Sequence, residues 1–281
     1  MKQASLSKLI DPCNLCPRKC GAKRMQGETG FCGVSATPRV ASFGPHFGEE
    51  TQLVGEGGSG AIFLSGCNLR CVFCQNPDIS HGLSGYYADV HKISKIMMHL
   101  QESGCCNINF VTPTHFADSL AQAVKRARED GLTLPVVWNC GGYESVEVLD
   151  QLAGVVDIFM PDIKTLDSAF ASRYLNAPDY PEIVCAALET MYKLAGEIIL
   201  EDGIARSGVL IRHLVMPGMV ADSRNIIETI RQFAPKSLVN ITGQYRPCNF
   251  ADNYPELSRR TAAEETEAAR SYASQLGLHL A

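Results

Sequence analysis

The stretch Ala61-Ile62-Phe63-Leu64-Ser65-Gly66-Cys67-Asn68-Leu69-Arg70-Cys71-Val72-Phe73-Cys74 joins a short apolar run to three closely spaced thiols. The run Ala61–Ser65 is strand-sized and stops at Gly66, so the thiols fall in the loop at the strand's C-terminal end. Parallel α/β proteins place their chemistry at such ends. A cubane iron–sulfur cluster normally takes four thiolates. The Cys67-x3-Cys71-x2-Cys74 loop offers three, and residues 75–104 add none, which leaves one iron free for a substrate or cofactor. The competing reading is a zinc site completed by a remote ligand such as His81. Zinc knuckles pair Cys-x2-Cys units, and the x3–x2 order is atypical of them.

Outward from this loop the apolar pattern alternates strand with helix. Strands are predicted over Ala61–Ser65, Asn107–Thr112, Pro135–Asn139, Val155–Met160, Gly208–Met216 and Leu238–Thr242. Helices are predicted over Asp89–Ser103, where Ile93, Ile96, Met97 and Leu100 share a face, and over Phe116–Asp130, Ser145–Leu152 and Asp222–Phe233. An additional helix is expected at Pro181–Leu194, and a turn at Glu201-Asp202-Gly203. Six such strands imply a parallel sheet of right-handed units and are too few for an eightfold barrel. The expected fold is therefore α/β: a partial (β/α)6 TIM-like barrel with a Cys-rich N-terminal extension. Residues 1–50 form that metal-binding extension, 51–250 the barrel and 251–281 a helical tail. In the tail, Ser258–Gly277 reads as a polar helix with a capping box at Thr261-x-x-Glu264. The glycine run Gly55-x-Gly57-Gly58-x-Gly60 precedes a strand instead of opening a helix, so it is a turn beside the site and not a phosphate loop.

Composition narrows the class. The chain has 281 residues, 46% hydrophobic and 20% charged, which excludes intrinsic disorder. A net charge of −5 argues against broad capture of nucleic acid or an anionic membrane. Met1–Ile10 carries two lysines and no apolar segment of a signal peptide. No apolar run approaches the roughly 18 residues of a membrane span. A cytoplasmic location follows as an expectation, and with it a reading of the 12 cysteines as metal ligands or core residues instead of disulfides. Cys105, Cys106, Cys140, Cys185 and Cys248 lie mostly in or beside strand-like segments and read as core.

Cys13-x2-Cys16-x3-Cys20-x11-Cys32 supplies four further thiolates. That set suits a closed tetrahedral zinc site or a saturated [4Fe–4S] cluster. Arg18, Lys19, Lys23 and Arg24 would offset the charge of either centre, so both stay open.

Cys67 to Cys74, with Phe73 before the last thiol, resembles the radical S-adenosylmethionine (SAM) signature. Gly57–Asn76 as a whole is similar to the corresponding region of pyruvate formate-lyase activating enzymes and their uncharacterised relatives. So are Asn107–His115, Trp138–Tyr143, Asp157–Lys164, Leu210–Gly218 and Gln244–Pro247. The resemblance implies a [4Fe–4S] cluster on Cys67, Cys71 and Cys74 whose open iron binds SAM, with reductive cleavage yielding a 5′-deoxyadenosyl radical. It also implies that Thr112 and Thr114 meet the cofactor's amino group in place of the family's Gly-Gly-Glu-like turn. Asp162 and Lys164 are then expected near its ribose and carboxylate, with Asn139 and Cys140 beside them. Asn139 and Cys140 are weaker ligands than the acid and hydroxyl with which activases help hold a monovalent cation. Arg212 is a charge amid apolar neighbours and needs a partner, either the cofactor carboxylate or Asp162. The implied substrate is a protein or peptide, such as a glycyl radical enzyme, and the implied electron donor a flavodoxin or ferredoxin. Alternatives are a small-molecule or modified-peptide substrate and, in another class, a non-enzymatic zinc protein.

Overall fold

Strand alternation sorts the sheet's side chains into two layers. In the computed structural model, which describes residues 5–281, the strands are β1 (Arg39–His46), β2 (Ser59–Leu64), β3 (Tyr86–Tyr87), β4 (Ile108–Val111) and β5 (Val136–Cys140). They continue as β6 (Ile158–Pro161), β7 (Ile199–Glu201), β8 (Ile204–Leu214), β9 (Leu238–Thr242) and β10 (His279–Leu280). The part of the signal-peptide reading that rests on residues 1–4 lies outside the described residues. The sheet order is β10-β9-β8-β6-β5-β4-β2-β1-β3, with β7 attached to β8. The run from β2 to β10 is parallel throughout. Ile62, Phe110, Trp138, Phe159 and Val209 are register partners and form one buried row. The alternate row, Ala61, Asn109, Val137 and Ile158, faces the barrel lumen.

The helices are α1 (Thr51–Val54), α2 (Pro77–Ser80), α3 (Val90–Glu102), α4 (Ala117–Glu129), α5 (Val146–Gln151), α6 (Ser168–Leu175), α7 (Tyr180–Ala195), α8 (Val220–Phe233) and α9 (Ala263–Gln275). All six strands read from the sequence are present, as are the five barrel helices. The α/β partial barrel stands as expected.

Four features depart from the sequence reading. Residues 39–46, assigned to the Cys-rich extension, form a strand antiparallel to β2, from Val40 opposite Leu64 to His46 opposite Ser59. Gly44 and Pro45 broke its apolar pattern, and proline is tolerated there because β1 is paired only near its start on its other side, by β3. The turn at 201–203 is the tip of a β7–β8 hairpin. Asp202 (φ 51°) and Gly203 (φ 79°) are both left-handed, which suits a two-residue hairpin, and β8 starts at Ile204 instead of Gly208. The tail contributes β10 to the sheet as well as a helix. Only half of the expected capping box forms, one residue on: α9 starts at Ala263, the Glu265 carboxylate accepts from Ala262 N–H at 2.8 Å while Ala262 has no side-chain acceptor to return, and the Thr261 hydroxyl donates to the Val215 carbonyl at 2.6 Å. Thr261 therefore ties the tail to the end of β8 instead of capping.

The loop between β1 and β2 plugs the N-terminal mouth of the barrel. Leu53 of α1 is fully buried among Val137, Ile158, Met160, Ala205, Leu210 and Leu238. The Leu53 carbonyl accepts from Asn107 Nδ2 (2.7 Å), and the Ser59 hydroxyl donates to Asn107 Oδ1 (2.7 Å). The Leu53→Ala substitution leaves a void that its rigid strand neighbours cannot collapse into, so it should cost about 2–5 kcal/mol. A thermal unfolding midpoint equal to that of the parent protein would show that the plug is not part of the core.

Candidate active site

Gly66 (φ 88°) turns the chain out of β2 into the three-cysteine loop. A Cβ there would lie 2.7 Å from the Cys32 carbonyl oxygen and 3.2 Å from His115 Nε2, so glycine is required by close approach as well as by φ. Beyond it, the Cys67 sulfur accepts from the N–H groups of Leu69 (3.4 Å) and Arg70 (3.5 Å). The Cys74 sulfur accepts from Asn76 N–H (3.4 Å) and lies 3.0 Å from the Ser80 hydroxyl. Burial pushes the Cys67 and Cys71 thiols up, with the neighbouring Lys164 charge opposing it. Sulfurs that are costly to ionise alone, yet already met by several donors, suit thiolates neutralised by a metal cluster. The donor set fits a [4Fe–4S] centre.

The strand ends above the lumen carry charge. At the end of β6, Lys164 Nζ is 2.9 Å from Asp162 Oδ2. Burial alone would raise the Asp162 carboxyl, but Lys164 and Arg212 outweigh it and hold it below its usual range. Burial likewise disfavours the Lys164 charge, and Asp162 more than compensates. Asp162 Oδ1 is buried without a partner, an acceptor left open for a donor that this chain does not supply. That fits a hydroxyl-bearing cofactor such as SAM. Tyr180 of α7 fixes this edge from beneath. Its hydroxyl donates to the Gly141 carbonyl (2.8 Å), accepts from Lys164 N–H (3.1 Å) and lies 3.2 Å from the Asp162 carbonyl.

Arg212 does not pair directly with Asp162. Its Nη1 pairs with Glu49 Oε1 at 2.9 Å and its Nη2 donates to Asn139 Oδ1 at 2.7 Å. Glu49 Oε2 accepts from Asn109 (3.0 Å) and Asn139 (3.2 Å). The reason is topological: the β1–β2 loop carries Glu49 into the lumen, while the Asp162 carboxylate is taken by Lys164. Asn139 is thus engaged with this ion pair. Next to it, Glu50 accepts from Asn240 at 2.6 Å, and burial raises its carboxyl.

The two threonines separate. Thr112 (φ 59°) sits in a strained left-handed turn after β4, its N–H bonded to the Asn139 carbonyl at 2.8 Å. The Thr114 hydroxyl donates to Glu144 in the loop after β5, which commits its proton but not its lone pairs. His115 is buried, and desolvation pushes it down to about 3. It stays neutral, with Nε2 2.8 Å from the Ser65 carbonyl. Glu144 is buried beside Thr114, Cys140 and Trp138, and desolvation pushes its carboxyl up to about 7. Cys140 leans on that carboxyl.

Of the four N-terminal cysteines, Cys13, Cys16 and Cys32 are buried and Cys20 is exposed. Burial pushes the Cys16 thiol up to about 12, reinforced by Cys32 and Cys13, and raises Cys32 with help from Cys13 and Cys20. The four thiols therefore share one neighbourhood. Among the described residues, no three Cys, His, Asp or Glu side chains converge as ligands of a single ion. Two arginines join this module to the barrel, Arg18 at the three-cysteine loop and Arg24 at the segment after β4. Arg18 donates to the carbonyls of Asn68 (2.8 Å), Leu175 (3.2 Å) and Asn176, and lies 3.9 Å over the Phe31 ring. Arg24, fully buried, donates to the carbonyls of His115 (2.6 Å) and Ser35 (2.7 Å).

Sequence reasoning missed Glu49, Glu144, Tyr180 and the positioning role of Arg18. Glu49 stands in an unremarkable Gly-Glu-Glu run, and only the threading of its loop gives it meaning. Tyr180 opens α7 and reads as core.

The model of the radical SAM superfamily matches residues 61–230. An uncharacterized protein of Methanocaldococcus jannaschii is 32% identical over 278 residues, spanning 95% of this chain and 76% of that one. A second uncharacterized protein of the same organism is 26% identical over 312 residues, with 99% and 83% covered. Among solved structures, a domain of pyruvate-formate lyase-activating enzyme from Bacteroides vulgatus superposes with a TM-score of 0.46 at 15% identity, covering 62% of this chain and 97% of that one.

The Glu144 carboxyl makes stability depend on pH. The unfolded chain releases this proton near 4.5 and the folded chain near 7. Between those values the folded state holds the extra proton, so stability falls as pH rises, by about 3 kcal/mol across the window. Thermal unfolding at pH 5, 6, 7 and 8 should show this decline in the parent and a flatter profile in Glu144→Gln. Parallel profiles would remove Glu144 as its source.

Proposed function

Because the chain belongs to the radical SAM superfamily, we propose that it abstracts hydrogen from a protein or peptide substrate in the manner of a glycyl-radical activase. The observation that carries this reading is the open sheet. The sheet ends in β10 on one side and in the antiparallel β1 and β3 on the other, and β10 does not pair with β3. A barrel with missing staves leaves a side wide enough for a partner's loop, whereas small-molecule sites are largely enclosed.

In this reading Cys67, Cys71 and Cys74 hold the [4Fe–4S] cluster and leave one iron for SAM. When bound, cluster and SAM together supply a low-potential electron and the 5′-deoxyadenosyl radical that takes up a hydrogen atom. The chain's own groups bind and orient. Asp162 Oδ1 accepts from the cofactor, Lys164 balances the charge of the thiolates and of Asp162, and Thr112 offers its backbone carbonyl to the cofactor's ammonium. Arg212 and Asn139, held by Glu49, form the polar layer beneath. Residues 1–50 carry a second centre on Cys13, Cys16, Cys20 and Cys32, either zinc or [4Fe–4S], and a flavodoxin or ferredoxin delivers the electron. A second reading, a small polar substrate, is favoured by the plug at Leu53, which closes the lumen from below, and by the hydrogen-bonded Glu49 and Asn109 above it.

The Asp162→Ala variant should bind SAM about ten- to a hundredfold more weakly at unchanged iron content, since hydrogen bonds to a charged group contribute about 1.5–3 kcal/mol. Equal affinities would move the cofactor elsewhere.

The substrate reading is tested by mixing reduced enzyme, SAM and candidate glycyl radical enzymes from the same cell. A protein-based doublet in the electron paramagnetic resonance spectrum is expected, with one 5′-deoxyadenosine per radical. The triple variant with Cys67, Cys71 and Cys74 changed to Ala should give neither. Deoxyadenosine formed only with small molecules, and no radical on any partner, would replace this reading with the second.

A further inference from the structure

Ser80 ends the short α2 turn that follows the three-cysteine loop, and its side chain is buried. Its Oγ has three polar neighbours: Cys74 Sγ at 3.0 Å, His81 Nδ1 at 2.8 Å and the Asn76 carbonyl at 3.0 Å. A metal-bound thiolate only accepts, as does a carbonyl, and a hydroxyl has one proton to give. If His81 Nδ1 also lacked a proton, three acceptors would compete for that one. The tautomer with Nδ1–H donating into Ser80 Oγ removes one competitor, and the hydroxyl proton is then shared between the sulfur and the carbonyl in a three-centre bond. The His81 ring is held edge-on against Phe250, 6.2 Å between centroids.

We propose that the Ser80 hydroxyl, backed by His81, is a positioning donor to the Cys74 sulfur that raises the reduction potential of the cluster. Reduction adds one electron and no proton to the cluster and makes its sulfurs better acceptors. A hydrogen bond to sulfur therefore strengthens on reduction and favours the reduced form. The other donors to Cys67 and Cys74 are backbone N–H groups of Leu69, Arg70 and Asn76. Among the described residues, Ser80 is the side-chain donor on these sulfurs, and so the one a substitution can remove. The inference rests on Cys67, Cys71 and Cys74 holding the cluster and is independent of the substrate.

The experiment is a redox titration of the reconstituted full-length protein with a low-potential viologen mediator, reading the reduced cluster by electron paramagnetic resonance. Four proteins are compared: parent, Ser80→Ala, Ser80→Thr and Ser80→Val. At the potential where the parent is half reduced, the Ala and Val variants should show a reduced-to-oxidised ratio lower by about five- to tenfold. Tenfold corresponds to about 59 mV for a one-electron couple. Ser80→Thr, which keeps the hydroxyl, should stay within about twofold of the parent. Thr and Val have nearly the same shape, so equal potentials in those two variants would overturn the proposal. Loss of iron from Ala and Val with a parent-like Thr variant would still assign the hydroxyl to Cys74. Loss from all three would mark Ser80 as a packing residue and overturn the role. A parent cluster that survives the triple cysteine substitution would instead refute the ligand assignment, which is a separate failure.

Discussion

A guanidinium on the inner face of a barrel strand has to be neutralised, and Arg212 sets that requirement for the whole lumen. Left alone it would cost several kcal/mol in lost hydration. None of the neighbouring parallel strands supplies the carboxylate: β4 and β5 offer asparagines, and Asp162 at the end of β6 is committed to Lys164. The charge comes from Glu49, outside the parallel array. That single pairing explains why the β1–β2 loop enters the barrel instead of passing beneath it. Once it is inside, Leu53 falls into the apolar floor and Asn107 can bond its carbonyl. The polar layer at mid-height is organised around this one charge, and the plug at Leu53 belongs to the same loop.

The same economy joins the Cys-rich segment to the three-cysteine loop. Gly66 admits the Cys32 carbonyl at a distance that no side chain would allow. Arg18 and Arg24 then spend their donors on backbone carbonyls from several elements: Asn68 in the cluster loop, Leu175 at the end of α6 and His115 after β4. Planar guanidinium groups with five donors are suited to this kind of bridging, and lysine would not replace them. Two cysteine sets far apart in sequence thereby become one packed unit.

Most of the barrel was legible in the sequence because strands buried on both faces read as apolar runs, and their helices show a strong one-sided period. Leu238–Thr242 coincides with β9, and Asp89–Ser103 overlaps α3 to within a residue at each end. What escaped has a common physical cause. β1 is an edge strand interrupted by Gly44 and Pro45, and β10 has two residues, so neither carries a periodic signal. The three-cysteine loop was legible because its spacing encodes its chemistry locally. Asp162 and Lys164 were legible as neighbours on one strand end, and they do pair. Arg212 was recognised as a charge needing a partner, but the partner lies 163 positions away. Pairing at that separation is decided by topology, which local sequence does not state. The bond from Thr114 to Glu144 was not legible either, since Glu144 lies beyond the next strand.

The thiols raise a last constraint that ties cofactor to fold. Burial makes Cys16, Cys32, Cys67 and Cys71 reluctant to ionise, and the positive charges nearby do not overcome it. A protein relying on bare thiolates would place them where water or cations stabilise the anion, as reactive cysteines are placed. Here the loops bury the sulfurs and aim backbone N–H groups at Cys67 and Cys74, an arrangement that favours thiolate only once a metal centre replaces the proton. Binding such a centre releases protons and adds its free energy to folding. In the three-cysteine loop Gly66 (φ 88°) takes the left-handed region at no steric cost, whereas Arg70 (φ 52°) holds a strained one. A loop that offers three thiols and a buried, unpartnered Asp162 oxygen close to it would both be completed by a bound cluster and cofactor.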